Sequence, residues 1–246
     1  MQLPRTSAKK VIRRAELQQL LIYVFKLGLF FRVRHLNEEQ AVLEFFAKPE
    51  NLPLGLSVAE QMDKLREQMN NRFWQDLLTR LNTLIKAHKL AWNFELTEDK
   101  NAADIIVGLH CSTVPGQPLY LSPMVEQQYL GGVWRIYFGL MWSAPPSPDQ
   151  LGLPAVNNLK ESLQKAGFKN NESFLAWQWT TFHPRRTDFL LRYANRPDQL
   201  LDDMEAVLKT LLIDHGTSIS QANPALQNAP RSATVSLKQL RSKRSD

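Results

Sequence analysis

An α/β fold of the α+β type is what this sequence predicts. The expected form is a mostly antiparallel sheet of about four to six strands, packed by one long helix and one C-terminal helix, behind an N-terminal helical segment. Three observations predict it. Val58, Met62, Leu65, Met69, Phe73, Leu77, Leu81, Leu84 and His88 recur at spacings of three and four, which is the period of a helix with one apolar stripe. Val133 to Trp142 alternates instead: Trp134, Ile136, Phe138, Leu140 and Trp142 share one face, and Arg135, Tyr137, Gly139 and Met141 the other, as in a strand. After Pro197, a residue suited to a first helical turn, Leu200, Leu201, Met204, Val207, Leu208, Leu211 and Leu212 return to helical spacing.

Each element follows in order. Ser7 is a plausible cap for a helix running to about Phe31, and no proline interrupts Arg5 to Lys48. A second helix should start near Asn37, with Glu38 and Glu39 favourable in its first turn. Pro49 to Gly55 reads as a loop. The long helix then spans 57–89, with Ser57 as N-cap and Glu60 completing a capping box. Trp74, Leu78 and Ile85 broaden its stripe, and the stripe reads as core. Ala91 to Leu96 is a strand, and Ala103 to Leu109 is an apolar run typical of a strand covered on both faces. Pro115, Gly116 and Pro118 mark a turn, and Ala144 to Pro148 a stiff loop. Val156, Leu159 and Leu163 form a helix ended by Gly167. Phe174 to Phe182 is a strand with Trp177 and Trp179 on one face. Thr187 to Tyr193 is its expected antiparallel partner across the turn His183-Pro184-Arg185-Arg186. The last helix covers 197–213, and residues beyond Gly216, poor in large apolars, should form a disordered tail. The expected division is thus 1–55 helical segment, 56–216 α+β domain and 217–246 basic tail, with no internal repeat.

Charge is distributed unevenly. The net charge over 246 residues is +6. Residues 1–34 carry eight Lys/Arg against Glu16 alone, and residues 217–246 five against Asp246 alone. The body between them is therefore net acidic. Basic ends are read either as solubilising arms or as contacts with a polyanion such as nucleic acid or an anionic membrane face. The most apolar stretch, Leu17 to Val33, contains Lys26, Gln18, Gln19 and Gly28, which makes it too short and interrupted for an integral membrane span. It follows Lys9, Lys10, Arg13 and Arg14 as a signal peptide would, but no small-residue cleavage site follows it. We read Leu17–Phe31 as a buried amphipathic helix or a docking surface for a protein partner, with a presequence or peripheral membrane attachment as the alternatives. A cytoplasmic location is expected.

Most chemical signatures are absent from the sequence. There is no phosphate-binding glycine loop, no HExxH and no Gly-x-Ser-x-Gly. With Cys111 as the one cysteine, an intrachain disulfide and a multi-cysteine zinc site are excluded. His110 adjoins Cys111, yet neighbours on a strand point to opposite faces, so Cys111 is read as structural. Glu98-Asp99-Lys100, with Asp104 or Asp76, resembles the Glu-x-Lys set of metal-dependent nucleases, which needs two acids for Mg²⁺ and a lysine beside the attacking water. The aspartate falls in the wrong order, so no catalytic residue, metal ligand or cofactor is assigned. His183, Arg185, Arg186, Arg192 and Arg196, with Trp177, Trp179 and Tyr193, mix bases with aromatics, a combination that grips phosphates and stacks bases; a polar hairpin turn over a Trp-rich buried face is the competing reading.

One likeness stands on element order. A helix containing Phe73-Trp74-Gln75-Asp76-Leu77, then strands, Val133-Trp134-Arg135-Ile136-Tyr137-Phe138-Gly139-Leu140, a helix, Ala176-Trp177-Gln178-Trp179 and a leucine-rich helix follow one another. This resembles the C-terminal accessory portion of prokaryotic PD-(D/E)XK nuclease-like proteins, over roughly residues 58–215. The nuclease core is not seen. The resemblance implies a DNA-linked or defence-linked accessory role and no catalysis. The expected function is a non-enzymatic nucleic-acid-associated accessory protein. Phosphates would be met by Lys9, Lys10, Arg13, Arg14, Arg185, Arg186, Arg192, Arg196, Lys238, Arg241, Lys243 and Arg244. A protein–protein scaffold docking through the N-terminal helix, and a metal-dependent nuclease, are the alternatives.

Overall fold

The computed structural model describes residues 35–96, 107–114 and 117–227. The helix expected at 7–31 and the end of the tail, 228–246, lie outside them. The chain divides into two compact units, Met1–Met62 and Asp63–Asp246.

In the first unit, helix α1 spans His35–Ala47, and helix α2 starts at Leu52 and runs to Ala87, across the unit boundary. The expected loop at 49–55 is therefore only a short turn, Lys48–Asn51. Pro53 sits in the first turn of α2, where a missing N–H costs nothing, and Gly55 N–H already donates to Asn51 O at 3.0 Å. Gly55 is accounted for by packing: an added Cβ would lie 2.9 Å from the Phe46 ring. Ser57 and Glu60 are thus inside the helix, not at its cap.

Among its described residues, the second unit is an antiparallel sheet with helices on one face. The strands are β1 (Asn93–Leu96), β2 (Val107–Val114), β3 (Gln117–Pro118), β4 (Leu121–Leu130), β5 (Val133–Trp142) and β6 (Phe174–Trp179). Their order is β1-β2-β4-β5-β6, with β3 pairing β2. The helices are α3 (Pro148–Leu151), α4 (Pro154–Lys165), α5 (Thr187–Asn195), α6 (Pro197–Lys209) and α7 (Gly216–Gln227), with a single π-helical turn at Thr210–Asp214. The α+β class is as the periodicities predict.

One core joins the helices to one sheet face. Phe73, Trp74, Leu77, Leu81 and Ile85 of α2 meet Phe94, Leu109, Cys111, Val125, Ile136, Phe138 and Leu140 of the sheet. Leu159 and Leu163, Leu200, Met204 and Leu208, and Ile219, Ala222 and Leu226 close the rest. Each fully buried side chain of this size contributes about 1.5–3 kcal/mol. Carboxamides tie the layers together. Trp74 Nε1–H donates to Gln127 Oε1 at 2.7 Å. Asn82 accepts from Phe94 N–H at 2.7 Å and donates to Phe94 O at 3.1 Å, so it occupies the outer edge of β1, which would otherwise present bare backbone.

Strand β5 and the C-terminus of α4 match their expected positions. Gly167 has φ +89, and Phe168 N–H reaches Leu163 O at 3.1 Å, the C-terminal arrangement that glycine permits. Strand β4 was not expected, because Pro123, Glu126, Gln127 and Gln128 break its alternation. It forms because Gly131 and Gly132, at φ +59 and +82, make a two-residue hairpin turn that folds it onto β5. Pro123 is tolerated because it lies just past the β2–β4 ladder, which ends at Met124, and Ser122 Oγ–H takes the Cys111 carbonyl there at 2.9 Å.

Two expectations are corrected. Thr187–Tyr193 is helix α5, not a strand pairing with β6: Phe189, Leu190 and Tyr193 are buried while Leu191 is exposed, which is a helical face. The tail does not begin at 217, because Gly216–Gln227 is helix α7 and buries Ile219, Ala222 and Leu226. Its small residues let it approach the sheet. Asn223 accepts from Leu121 N–H at 3.0 Å and donates to Leu121 O at 3.1 Å and Ile219 O at 3.0 Å. Asn223→Leu should therefore strand two buried backbone groups, at about 1–3 kcal/mol for each. Urea denaturation should show the lower midpoint, and an unchanged midpoint would mean that α7 is not anchored through this amide.

Candidate functional site

The second face of the sheet carries the candidate site. Its cluster comes from strands alone: Met124, Tyr137, Met141 and Phe174, with Trp177 and Trp179 packed against them. Register explains the grouping. Tyr137 pairs with Glu126 on β4 and Trp179 on β6, and Gly139 pairs with Met124 and Trp177. An added Cβ at Gly139 would lie 2.2 Å from Ala176 O and 2.9 Å from Trp177 Cα, so the glycine is what lets Trp177 come in over β5.

The rings meet edge to face. Tyr137 lies 5.2 Å from Trp179 at 71° and 5.8 Å from Phe174 at 77°, and Trp177 lies 5.8 Å from Trp179 at 90°. Between them opens a cavity of about 150 Å³ lined by Gln128, Tyr137, Asn171, Phe174, Trp177 and Trp179. Two cations flank it. The Arg135 guanidinium is 4.5 Å from the Trp179 ring centre, and Lys169 Nζ is 5.9 Å from that of Trp177. Neither has an acid partner among the described residues. Lys169 is fixed by its backbone, which exchanges hydrogen bonds with Trp177 at 2.9 and 2.7 Å. Asn171 Oδ1 accepts from Ser173 and Phe174 N–H at 3.0 and 2.9 Å and shapes the rim. Below, the Tyr137 hydroxyl donates to the buried Glu126 carboxylate.

The residues singled out from the sequence fare differently. Lys9, Lys10, Arg13, Arg14, Lys238, Arg241, Lys243 and Arg244 lie outside the described residues, as do Leu17–Phe31. Arg186 is paired with Asp188 at 3.2 Å, and Arg192 with Asp203. Arg185 sits over Trp134, 5.6 Å from the ring centre. Arg196 joins α5 to α6 as the C-cap of one and the N-cap of the other. Tyr193 is in the helix-covered core and Trp177 and Trp179 are on the opposite sheet face, so the expected basic–aromatic cluster is not assembled. Arg135, Lys169, Tyr137, Phe174, Gln128 and Asn171 were not singled out. The alternation of β5 already put Arg135 and Tyr137 on one face, but only the β5–β6 pairing brings the indoles to them.

The nuclease reading gains no geometry. Glu98, Asp99, Lys100 and Asp104 lie outside the described residues, and Asp76 is engaged by the Tyr193 hydroxyl at 2.5 Å and Arg72 at 3.9 Å. Among the described residues no group of three His, Cys, Asp or Glu side chains is placed to hold a metal, and no helix is long and apolar enough to cross a membrane. His110 lies on the open face, 3.7 Å from Glu95, whose carboxylate accepts from Ser112 Oγ–H at 2.8 Å. Serine and histidine both turn to the glutamate, which is not the serine–histidine contact that nucleophilic catalysis needs. Comparison with protein families, curated proteins and solved structures finds no match to this chain.

Two groups here titrate unusually. Burial, and then the Glu95 charge, pushes the Cys111 thiol well above its ordinary range. A thiol held protonated and enclosed reacts slowly. Native protein should therefore resist an aromatic disulfide reagent near pH 8 and react fully once unfolded; rapid native labelling would contradict the burial. Burial, followed by the hydrogen bond to Asp76 and that carboxylate's charge, raises the Tyr193 phenol above its ordinary value. The unfolded phenol then releases its proton at lower pH than the folded one, so this group's contribution is present below about pH 10 and is lost as pH rises further. Tyr193→Phe should flatten the fall in thermal midpoint above pH 10, and an identical slope would remove Tyr193 from the alkaline transition.

Proposed function

We propose that this is a non-enzymatic, cytoplasmic, nucleic-acid-associated accessory protein of a prokaryotic defence or mobile-element system, which holds single-stranded nucleic acid against the sheet face bearing Trp177 and Trp179. The observation that carries the reading is the seating of Arg135 and Lys169, without acid partners among the described residues, on two indoles beside an open cavity. Cations that are not neutralised meet phosphates, and aromatic rings stack bases at about 1–3 kcal/mol per base. By contrast Arg186 and Arg192 are held by acids, so they add little to such a surface. The basic ends supply further phosphate contacts, Lys9, Lys10, Arg13 and Arg14 at one end and Lys238, Arg241, Lys243 and Arg244 at the other. The accessory role and the biological setting rest on the resemblance in element order.

Fluorescence anisotropy with labelled single strands and duplexes tests this. Affinity should favour single strands and fall with salt, with a log–log slope shallower by about 0.7 for each phosphate contact removed. Arg135→Ala with Lys169→Ala should weaken binding several-fold. Truncation of the tail must stop at Gln227, since α7 belongs to the core. If that double variant, the truncation and neutralisation of Lys9, Lys10, Arg13 and Arg14 all leave affinity unchanged, the reading fails.

A further inference from the structure

We propose that the tip of the β4–β5 hairpin is a peripheral contact for an anionic phospholipid surface. Leu130 and Val133 enter the interface, and Arg135 and Arg185 meet phosphates behind them. The proposal stands apart from the nucleic-acid reading and shares only Arg135 with that surface.

Three observations carry it. The first is an apolar tip left bare. Tyr129, Leu130 and Val133 are 46, 48 and 37% exposed around the turn made by Gly131 and Gly132. An added Cβ at either glycine would meet no described atom within 4 Å, so the turn stands out from the body. Exposed apolar side chains are ordinary when scattered singly, whereas a group of them marks an interaction site.

The second is order along the hairpin. Register pairs Leu130 with Val133, Tyr129 with Trp134 and Gln128 with Arg135. Reading back from the turn, aliphatic side chains come first. Aromatic rings come second, 5.6 Å apart, and a cation third. At about 3.4 Å per residue, the arginine stands about 7 Å behind the aliphatic pair. A bilayer surface has the same succession of layers: hydrocarbon, then an interface that favours Trp and Tyr, then charged headgroups. Interfacial segments enter it by about 5–10 Å. A polyanion with no apolar layer would gain nothing from Leu130 and Val133.

The third is charge. Neither Arg135 nor Arg185 has an acid partner among the described residues. The Arg185 backbone is left-handed, at φ +71, which is uncommon for a residue with a Cβ. Its guanidinium lies 5.6 Å from the Trp134 ring centre, so it is held at the hairpin. The nearby acids are already engaged, Glu126 by the Tyr137 hydroxyl and Asp188 by Arg186. Cations left without acids beside an apolar tip favour an anionic headgroup over a zwitterionic one.

Co-sedimentation of the full chain with vesicles tests this, phosphatidylcholine alone against phosphatidylcholine mixed equally with phosphatidylglycerol. The wild-type protein should bind the mixed vesicles at least about tenfold more tightly than phosphatidylcholine alone. Leu130→Ser with Val133→Ser alters exposed side chains only. It should weaken binding to the mixed vesicles about tenfold, with the thermal midpoint and the affinity for a single-stranded oligonucleotide unchanged. Arg185→Ala should weaken the same binding several-fold. Absence of wild-type binding to the mixed vesicles would overturn the proposal. Binding that the double serine variant retains in full would assign it to the basic chain ends and overturn the tip. An equal loss of oligonucleotide affinity in that variant would make the tip part of a nucleic-acid surface and overturn the lipid assignment.

Discussion

Among the described residues of the second unit, helices lie on one side of the sheet only, and the rest follows from that constraint. An antiparallel sheet has two faces, and α2, α4, α5, α6 and α7 all pack on one. The described side chains that organise the other face come from the strands: Tyr137, Phe174, Trp177 and Trp179 lie across β5 and β6 and shield Met124 and Met141. Rings that protect a sheet face in this way meet at steep angles, because edge-to-face contacts are favoured over parallel sandwiches. Steeply angled rings leave gaps. The cavity is thus a consequence of one-sided coverage, and Gly139, which admits Trp177 over β5, sets where it opens.

The same one-sidedness sorts the charges. On the helical side, cations meet acids projected by α6: Arg80 reaches Asp202 and Glu205, Arg192 reaches Asp203, and Lys209 reaches Glu205. Partly exposed pairs of this kind add little stability each, but they remove positive potential from that surface. On the strand-built face Arg135 and Lys169 lie against indoles, and aromatic rings attract a cation without neutralising it. A sum over the chain hides this difference, since what matters is which cations are already spent.

How far this was legible in the sequence depends on the distance over which each signal acts. The α2 stripe, the alternation of β5, the tryptophan face of β6 and the glycine end of α4 are local and were readable. Thr187–Tyr193 was misread because Thr, Phe and Tyr favour strands, while burial of Phe189, Leu190 and Tyr193 on one side overrides that preference. Helix α7 was missed because Ser, Asn, Ala and Gln look like a tail; its anchor, Asn223, bonds a strand about a hundred positions away. The site itself required knowing that β5 and β6 are neighbours, and no local pattern reports strand adjacency.

An indole N–H enclosed without an acceptor is a poor choice if stability alone decides, since a phenylalanine at 177 would keep the edge contact with Trp179 and strand no donor. The same holds for Arg135, whose Nε is also enclosed without a partner among the described residues. These two donors, on the adjacent strands β5 and β6, depart from the rule that buried polar groups find partners. Elsewhere in this unit that rule is followed closely: Asn82 and Asn223 each satisfy both the N–H and the C=O of a single backbone residue. The helical face is not exempt, since Gln127, which accepts from Trp74, leaves its own Nε2 enclosed without a partner among the described residues, so unmet hydrogen bonding is spread over both faces of the sheet.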